Sequence, residues 1–81
     1  MVMVNIYQMY GNLNDFISDV KFVYFHKTGR RLIVYSMNDT GGQNCRLRIL
    51  DMSGLDSAFL EFALKDALRD YPEASYEFSG S

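Results

Sequence analysis

The predicted fold depends on residues 21–50, KFVYFHKTGRRLIVYSMNDTGGQNCRLRIL. Runs rich in β-branched and aromatic residues are separated by two glycine-containing segments, KTGR and NDTGGQ. Such runs, bounded by turn residues, indicate strands joined as hairpins. The predicted strands span about residues 21–26, 31–37 and 44–50. Gly29 supplies the positive φ that the first tight turn requires.

The two faces of this predicted sheet differ in character. Because side chains alternate along a strand, one face collects apolar residues and the other collects aromatic rings and guanidinium groups. The apolar face would hold Val23, Phe25, Leu32, Val34, Leu47 and Ile49. The predicted partner-binding face holds Phe22, Tyr24, Arg31, Ile33, Tyr35, Arg46 and Arg48. A slip of one residue in the NDTGGQ loop would exchange the faces of the third strand.

The N-terminal segment predicts a strand followed by a short helix. Residues 2–10 alternate in polarity, which is typical of a strand. Asn12 then lies where a helix cap is expected, with Asp15 three residues later. Apolar residues at helical spacing follow over residues 13–20, so one face of this short helix should be buried.

The C-terminal segment predicts the longest helix of the chain. Ser53 is placed to cap it, and Pro72 should end it at about Tyr71. The helix would therefore cover about residues 54–71, and residues 74–78 predict a final edge strand. The resulting prediction is one α+β domain over residues 1–81, ordered β-α-β-β-β-α-β, with a mainly antiparallel sheet of three to five strands.

The order helix, three strands, helix between Asn12 and Tyr71 resembles, in topology alone, a double-stranded-RNA-binding domain. That family holds phosphates with a lysine cluster at the start of its second helix. The corresponding positions of this sequence are Ser53, Gly54, Leu55 and Asp56. The resemblance therefore implies little about function.

Length and composition indicate a small globular protein with more apolar surface than its own core needs. The chain has 81 residues, 48% of them hydrophobic and 15% aromatic, which is rich for a domain this short. Part of that surface should serve an interface with a partner protein or a second copy.

The single Cys45 excludes an internal disulfide and a cysteine-based zinc site. With no secretory pattern and no long apolar run, we expect a cytoplasmic protein, in the host cytoplasm if a phage encodes it.

Charge is distributed unevenly along the chain, although the net charge is only −2. Residues 21–48 contain six basic residues and one acidic residue, a local charge of +5. Residues 51–81 contain seven acidic residues and two basic residues, a local charge of −5. One side of the domain should therefore be basic and the other acidic, which orients encounters with a charged partner.

The sequence does not predict an active site, a cofactor site or a metal site. His26 and Cys45 are the only residues of their types, and the predicted register places them on opposite faces. No histidine or cysteine spacing fits zinc. The loop that starts at Asn38 lacks the glutamate that a calcium loop carries at its twelfth position, which is Ile49 here. We therefore expect a protein that is not an enzyme.

Three interpretations of the aromatic and arginine face stay open. Residues 1–20 could cover it, a protein partner could bind it, or single-stranded nucleic acid could stack on it. We prefer a non-enzymatic protein-binding module with a protein partner, including a homodimer, and no membrane association. Its specific form would be an inhibitor that occludes a larger protein. Anti-CRISPR and anti-restriction proteins of phages and mobile elements act in this way.

Overall fold

The structure, a computed structural model, describes residues 1–38 and 43–79. Within these residues the elements are β1 (Val2–Tyr7), α1 (Leu13–Thr28), β2 (Ile33–Asn38), β3 (Cys45–Leu50), α2 (Ser57–Leu68) and β4 (Ser75–Ser79). The strands form an antiparallel sheet in the order β2-β3-β1-β4. This β-α-β-β-α-β order is the split β-α-β, or ferredoxin-like, arrangement. The prediction of a small α+β fold with a mainly antiparallel sheet is thus confirmed.

The predicted strand over residues 21–26 is wrong, and with it the predicted order of elements. These residues continue α1, which runs from Leu13 to Thr28 instead of ending at residue 20. Phe16, Val20 and Tyr24 recur every four residues and are all buried, so helical spacing governs the whole segment. Local propensity for a strand is overridden because the longer helix buries a continuous apolar stripe against the core.

Gly29 ends α1 and does not form a hairpin turn. Its φ of 73° and ψ of 7° are left-handed, and its N–H donates to the Phe25 carbonyl oxygen at 2.7 Å. Glycine adopts this conformation at little cost and satisfies a carbonyl group at the end of the helix. The prediction of positive φ at Gly29 is confirmed, but its structural role is different. At the other end of α1, the Asn12 side chain accepts from the Asp15 N–H, so the predicted cap is confirmed.

Helix α2 is shorter than the sequence predicts. It covers 12 residues, Ser57–Leu68, and its cap is Asp56, whose side chain accepts from the Phe59 N–H at 3.1 Å. The predicted cap, Ser53, lies in a turn in which the Gly54 N–H donates to the Asp51 carbonyl oxygen. Gly54 has a φ of 103°, which is incompatible with a helix, so α2 begins after it.

One core lies between the sheet and the two helices. Val4, Ile6, Leu47 and Ile49 from the central strands are almost fully buried. The helices contribute Phe16, Val20, Tyr24, Leu60, Ala63, Leu64 and Ala67. Because α1 and α2 both pack on this side, the side chains on the other face of the sheet point away from the core. Within the described residues, neither helix has the length and apolarity needed to cross a bilayer.

The β2–β3 hairpin keeps the predicted faces, but its register is shifted by two positions from the predicted one, which places Val34 beside Leu47 and Tyr35 beside Arg46. Val34 pairs with Ile49 and Tyr35 with Arg48, so apolar side chains lie on one face and the tyrosine and arginine on the other. The predicted faces of these two strands are therefore confirmed. Four residues of the predicted NDTGGQ turn, residues 39–42, lie outside the described residues.

Candidate functional site

The candidate site is the face of the sheet that does not pack against the helices, called here the open face. Directly paired residues of an antiparallel sheet lie on the same side, so the register defines its members. They are Met3, Asn5 and Tyr7 of β1, Ile33, Tyr35 and Met37 of β2, Arg46, Arg48 and Leu50 of β3, and Ser75, Glu77 and Ser79 of β4. Tyr35 is 56% exposed and Met37 is 37% exposed. The open face therefore presents both rings and flexible apolar side chains to solvent.

Two arginines occupy the centre of the open face. Arg48 lies between Met3 and Tyr35, its partners on the two neighbouring strands. Arg46 lies between Asn5 and Met37, and its Nε donates to the Asn5 Oδ1 at 3.0 Å. Both arginines are exposed, and no ion pair between the described residues includes either of them. Their guanidinium groups can therefore pair with carboxylates of another molecule.

The β4 end of the open face is less basic. The Tyr7 hydroxyl donates to the Glu77 Oε1 at 3.1 Å. Partial burial and this hydrogen bond raise the pKa of Tyr7. Glu77 places a negative charge beside the tyrosine, so the positive part of the open face is its β2 and β3 half.

Tyr24, one of the predicted partner-binding residues, belongs to the core. It is 0% exposed, and its hydroxyl donates to the Asp51 Oδ2 at 2.8 Å and accepts from the Asp56 N–H at 3.1 Å. Arg30 Nε also donates to the Asp51 Oδ2 at 2.8 Å. The Arg30 hydrogen bond, with others from the Ser53 N–H and Tyr24, lowers the pKa of Asp51. The hydrogen bonds of Tyr24 therefore connect α1 to the turn before α2.

The other predicted residues divide between two adjoining surfaces. Ile33, Tyr35, Arg46 and Arg48 lie on the open face. Phe22 and Arg31 instead line a groove of about 580 Å³ between α1 and the start of β2, where Ile33 also contributes. Phe22 belongs to α1 because residues 21–26 are helical, so it does not share a strand face with Tyr35.

The structure also brings residues to the open face that the sequence analysis did not include. Met3, Asn5 and Tyr7 join it because β1 lies in the sheet, between β3 and β4. Their alternation with Val2, Val4 and Ile6 carried this signal. The alternation does not give the position of β1 in the sheet, because that position depends on pairing with residues 39 to 47 positions away. β1 therefore extends the face, and α1 packs on the opposite side of the sheet, so neither element covers the face.

The single histidine and the single cysteine of the chain lie on different elements. His26 is exposed on α1, where its ring stacks on Phe22 at a centroid distance of 5.1 Å. Cys45 is buried on β3, and burial raises the pKa of its thiol, which disfavours the reactive thiolate. Among residues 1–38 and 43–79, no three histidine, cysteine or acidic side chains are grouped so as to hold a metal ion.

Comparison with known proteins finds no matching family model, and no curated protein or solved structure is significantly similar to this chain.

Proposed function

We propose that this chain is a non-enzymatic protein-binding module that engages a larger partner through its open face. The observation that carries the proposal is the composition of that face. Tyrosine, methionine and arginine are the residue types enriched at the centres of protein interfaces. Here they occupy one continuous, helix-free surface, with Tyr35, Met37 and Arg48 on neighbouring strands.

The size of the open face limits the kind of contact. Four strands about 4.8 Å apart and six residues long cover roughly 400 Å². A standard interface buries about 800 Å² on each partner. The partner would therefore contact both the open face and the surface beside it, and the positive β2 and β3 half would face its carboxylates. Occlusion of a larger protein, as by the inhibitors of phages and mobile elements, is the specific form that we propose.

Single-stranded nucleic acid is the alternative ligand, because sheet aromatics can stack on bases. The geometry favours it less. Tyr7 on β1 and Tyr35 on β2 lie two strand spacings apart, with β3 between them, and are offset by four residues along the strand direction. This is roughly 16 Å, which is too far for adjacent bases. Glu77 accepts a hydrogen bond from Tyr7 and would repel a phosphate beside it. Binding of mixed oligonucleotides with an affinity that falls steeply with salt would favour this alternative.

The proposal is tested by replacing Tyr35 with alanine. A protein captured from the source organism and purified should bind Tyr35→Ala about 10 to 100 times more weakly, because aromatic side chains often contribute much of the binding free energy of such a contact. Isothermal titration measures this loss. Tyr10→Ala is the matched control, since Tyr10 is 62% exposed but lies outside the open face. Equal weakening by both variants, or none by Tyr35→Ala, would contradict the proposal.

A further inference from the structure

We propose that the groove between α1 and β2 binds an extended acidic peptide segment, which adds to the sheet as a strand beside β2. This site shares β2 and Ile33 with the open face, but its contacts are the outer backbone edge of β2 and the groove beside it. The inference goes beyond the proposed function, and its test needs only the purified chain and synthetic peptides. Its failure would therefore leave the open-face proposal intact.

β2 is an outer strand of the sheet that the described residues form. The strand order places β3 on one side of β2 and no strand of the described residues on the other. Alternate N–H and C=O groups of an antiparallel strand point away from its partner. Among the described residues, no backbone hydrogen bond outside the sheet ladder involves residues 33–38. These groups are available to another strand.

β2 lacks the features that normally prevent the edge of a sheet from pairing with another strand. Protective edges carry lysine, other charged residues, proline or a bulge. The sequence of β2, IVYSMN, contains no charged residue and no proline. Its six pairs with β3 run from Ile33 to Asn38 without a bulge. The opposite edge, β4, carries Glu77 at its centre. The unprotected edge is therefore the one beside the groove.

The groove beside β2 combines apolar surface with positive charge. Phe22, Phe25 and Leu32 supply its apolar surface, and Lys21 and Arg31 supply two positive charges. The Arg31 guanidinium lies over the Phe25 ring, 5.7 Å from its centroid. Neither cation is in an ion pair with another described residue. A volume of about 580 Å³ is within the range of natural ligand sites.

The positive charge of the groove favours an acidic peptide over the other extended segments that could pair with β2. A second copy joined symmetrically through β2 would bring two basic rims to one interface, and like charges across an interface are costly. The chain's own last strand, β4, is already paired with β1 at the opposite edge. A separate peptide with alternating acidic and apolar side chains matches both the backbone and the groove. Strand addition supplies affinity through the main chain, and the groove supplies selectivity.

The test uses a blocked peptide of alternating glutamate and valine, about eight residues long, and a lysine–valine peptide as its charge control. Amide shifts of the labelled full chain are followed by NMR as each peptide is added. We expect saturable shifts at residues 33–38 and in the second half of α1 with the acidic peptide alone, with a dissociation constant of roughly 1 mM or lower.

Two further comparisons separate strand addition from simple charge attraction. The double variant Lys21→Glu and Arg31→Glu should bind the acidic peptide at least about tenfold more weakly. The control Lys65→Glu and Arg69→Glu carries the same net charge and should bind it normally. Peptides N-methylated at every glutamate or at every valine lose opposite sets of N–H donors. One of these isomers should lose binding and the other should keep it.

Four results would overturn the proposal. They are no saturable shift up to about 5 mM peptide, equal binding of both N-methylated isomers, equal binding of the lysine peptide, and shifts centred on another surface. Concentration-dependent shifts at residues 33–38 without peptide would assign the groove to a second copy of this chain and would also overturn it.

Discussion

We expect the Tyr24→Ala chain to lose about 3–5 kcal/mol of unfolding free energy. Tyr24 is 0% exposed, so its removal leaves a cavity between α1, the sheet and the turn before α2. A chain of 81 residues has a total stability of roughly 4–12 kcal/mol. The variant should therefore melt at least about 12 °C lower, or not fold at all. Thermal denaturation followed by circular dichroism measures the change.

Two companion variants keep this prediction testable if Tyr24→Ala does not fold. Tyr24→Phe keeps the ring but removes the hydroxyl, which donates a hydrogen bond to Asp51 and accepts one from the Asp56 N–H. This variant should lose about 1–3 kcal/mol of unfolding free energy. Phe22→Ala changes a 63% exposed residue of the same helix and should cost less than about 1 kcal/mol. On a strand, Phe22 and Tyr24 would lie on one face and behave alike. Similar losses for Phe22→Ala and Tyr24→Ala would therefore contradict the helical assignment.

The second large effect is expected at the centre of the open face. The double variant Arg46→Glu and Arg48→Glu should bind the partner at least about 100 times more weakly, because it places like charges opposite the partner's carboxylates. Its melting temperature should change by no more than about 3 °C, since both side chains are exposed. Affinity is measured by titration with the purified partner.

The control for this experiment is the double variant Lys65→Glu and Arg69→Glu. It has the same net charge, but its changes lie at the end of α2 and just beyond it, away from the open face. Arg69 pairs with Asp66 on the surface at 3.3 Å, an interaction that contributes little to stability. The control should bind like the original chain. An equal loss of affinity in the control would show that net charge alone governs binding.

The β2–β3 hairpin was predictable because its pattern is unambiguous. Leu47 and Ile49 alternate with Arg46 and Arg48, and no helical register separates these residues into an apolar and a charged face. In the structure, Cys45, Leu47 and Ile49 of β3 are buried and Arg46 and Arg48 are exposed, as this alternation predicts. That half of the candidate site could therefore be predicted from the sequence.

Residues 21–26 were not predictable in the same way, because two periods fit them. Phe22, Tyr24 and His26 alternate as in a strand, while Val20 and Tyr24 continue the spacing that begins at Phe16. Gly29 serves equally well as a hairpin turn or as the end of a helix. Packing of this segment against the sheet decides between strand and helix. These contacts involve residues that are far away in the sequence, so a short stretch of sequence does not reveal them.

The role of Tyr24 and the position of β1 depend on contacts between distant parts of the chain. The hydroxyl of Tyr24 reaches Asp51, 27 positions away. Val4 of β1 pairs with Leu47 and Phe78 on either side. Local sequence patterns indicate that such residues are buried or alternate, but they do not identify the residues that they contact.

Methionine oxidation shows whether a partner protein covers the open face. Met37 lies on the open face and is 37% exposed, whereas Met52 is 82% exposed in the turn that leads to α2. Because exposed thioethers oxidise most readily, mass spectrometry of the free chain and of the complex reports which methionine becomes covered. We expect binding to slow the oxidation of Met37 and leave that of Met52 unchanged. Protection of Met52 with Met37 unaffected would show that the partner binds a surface other than the open face.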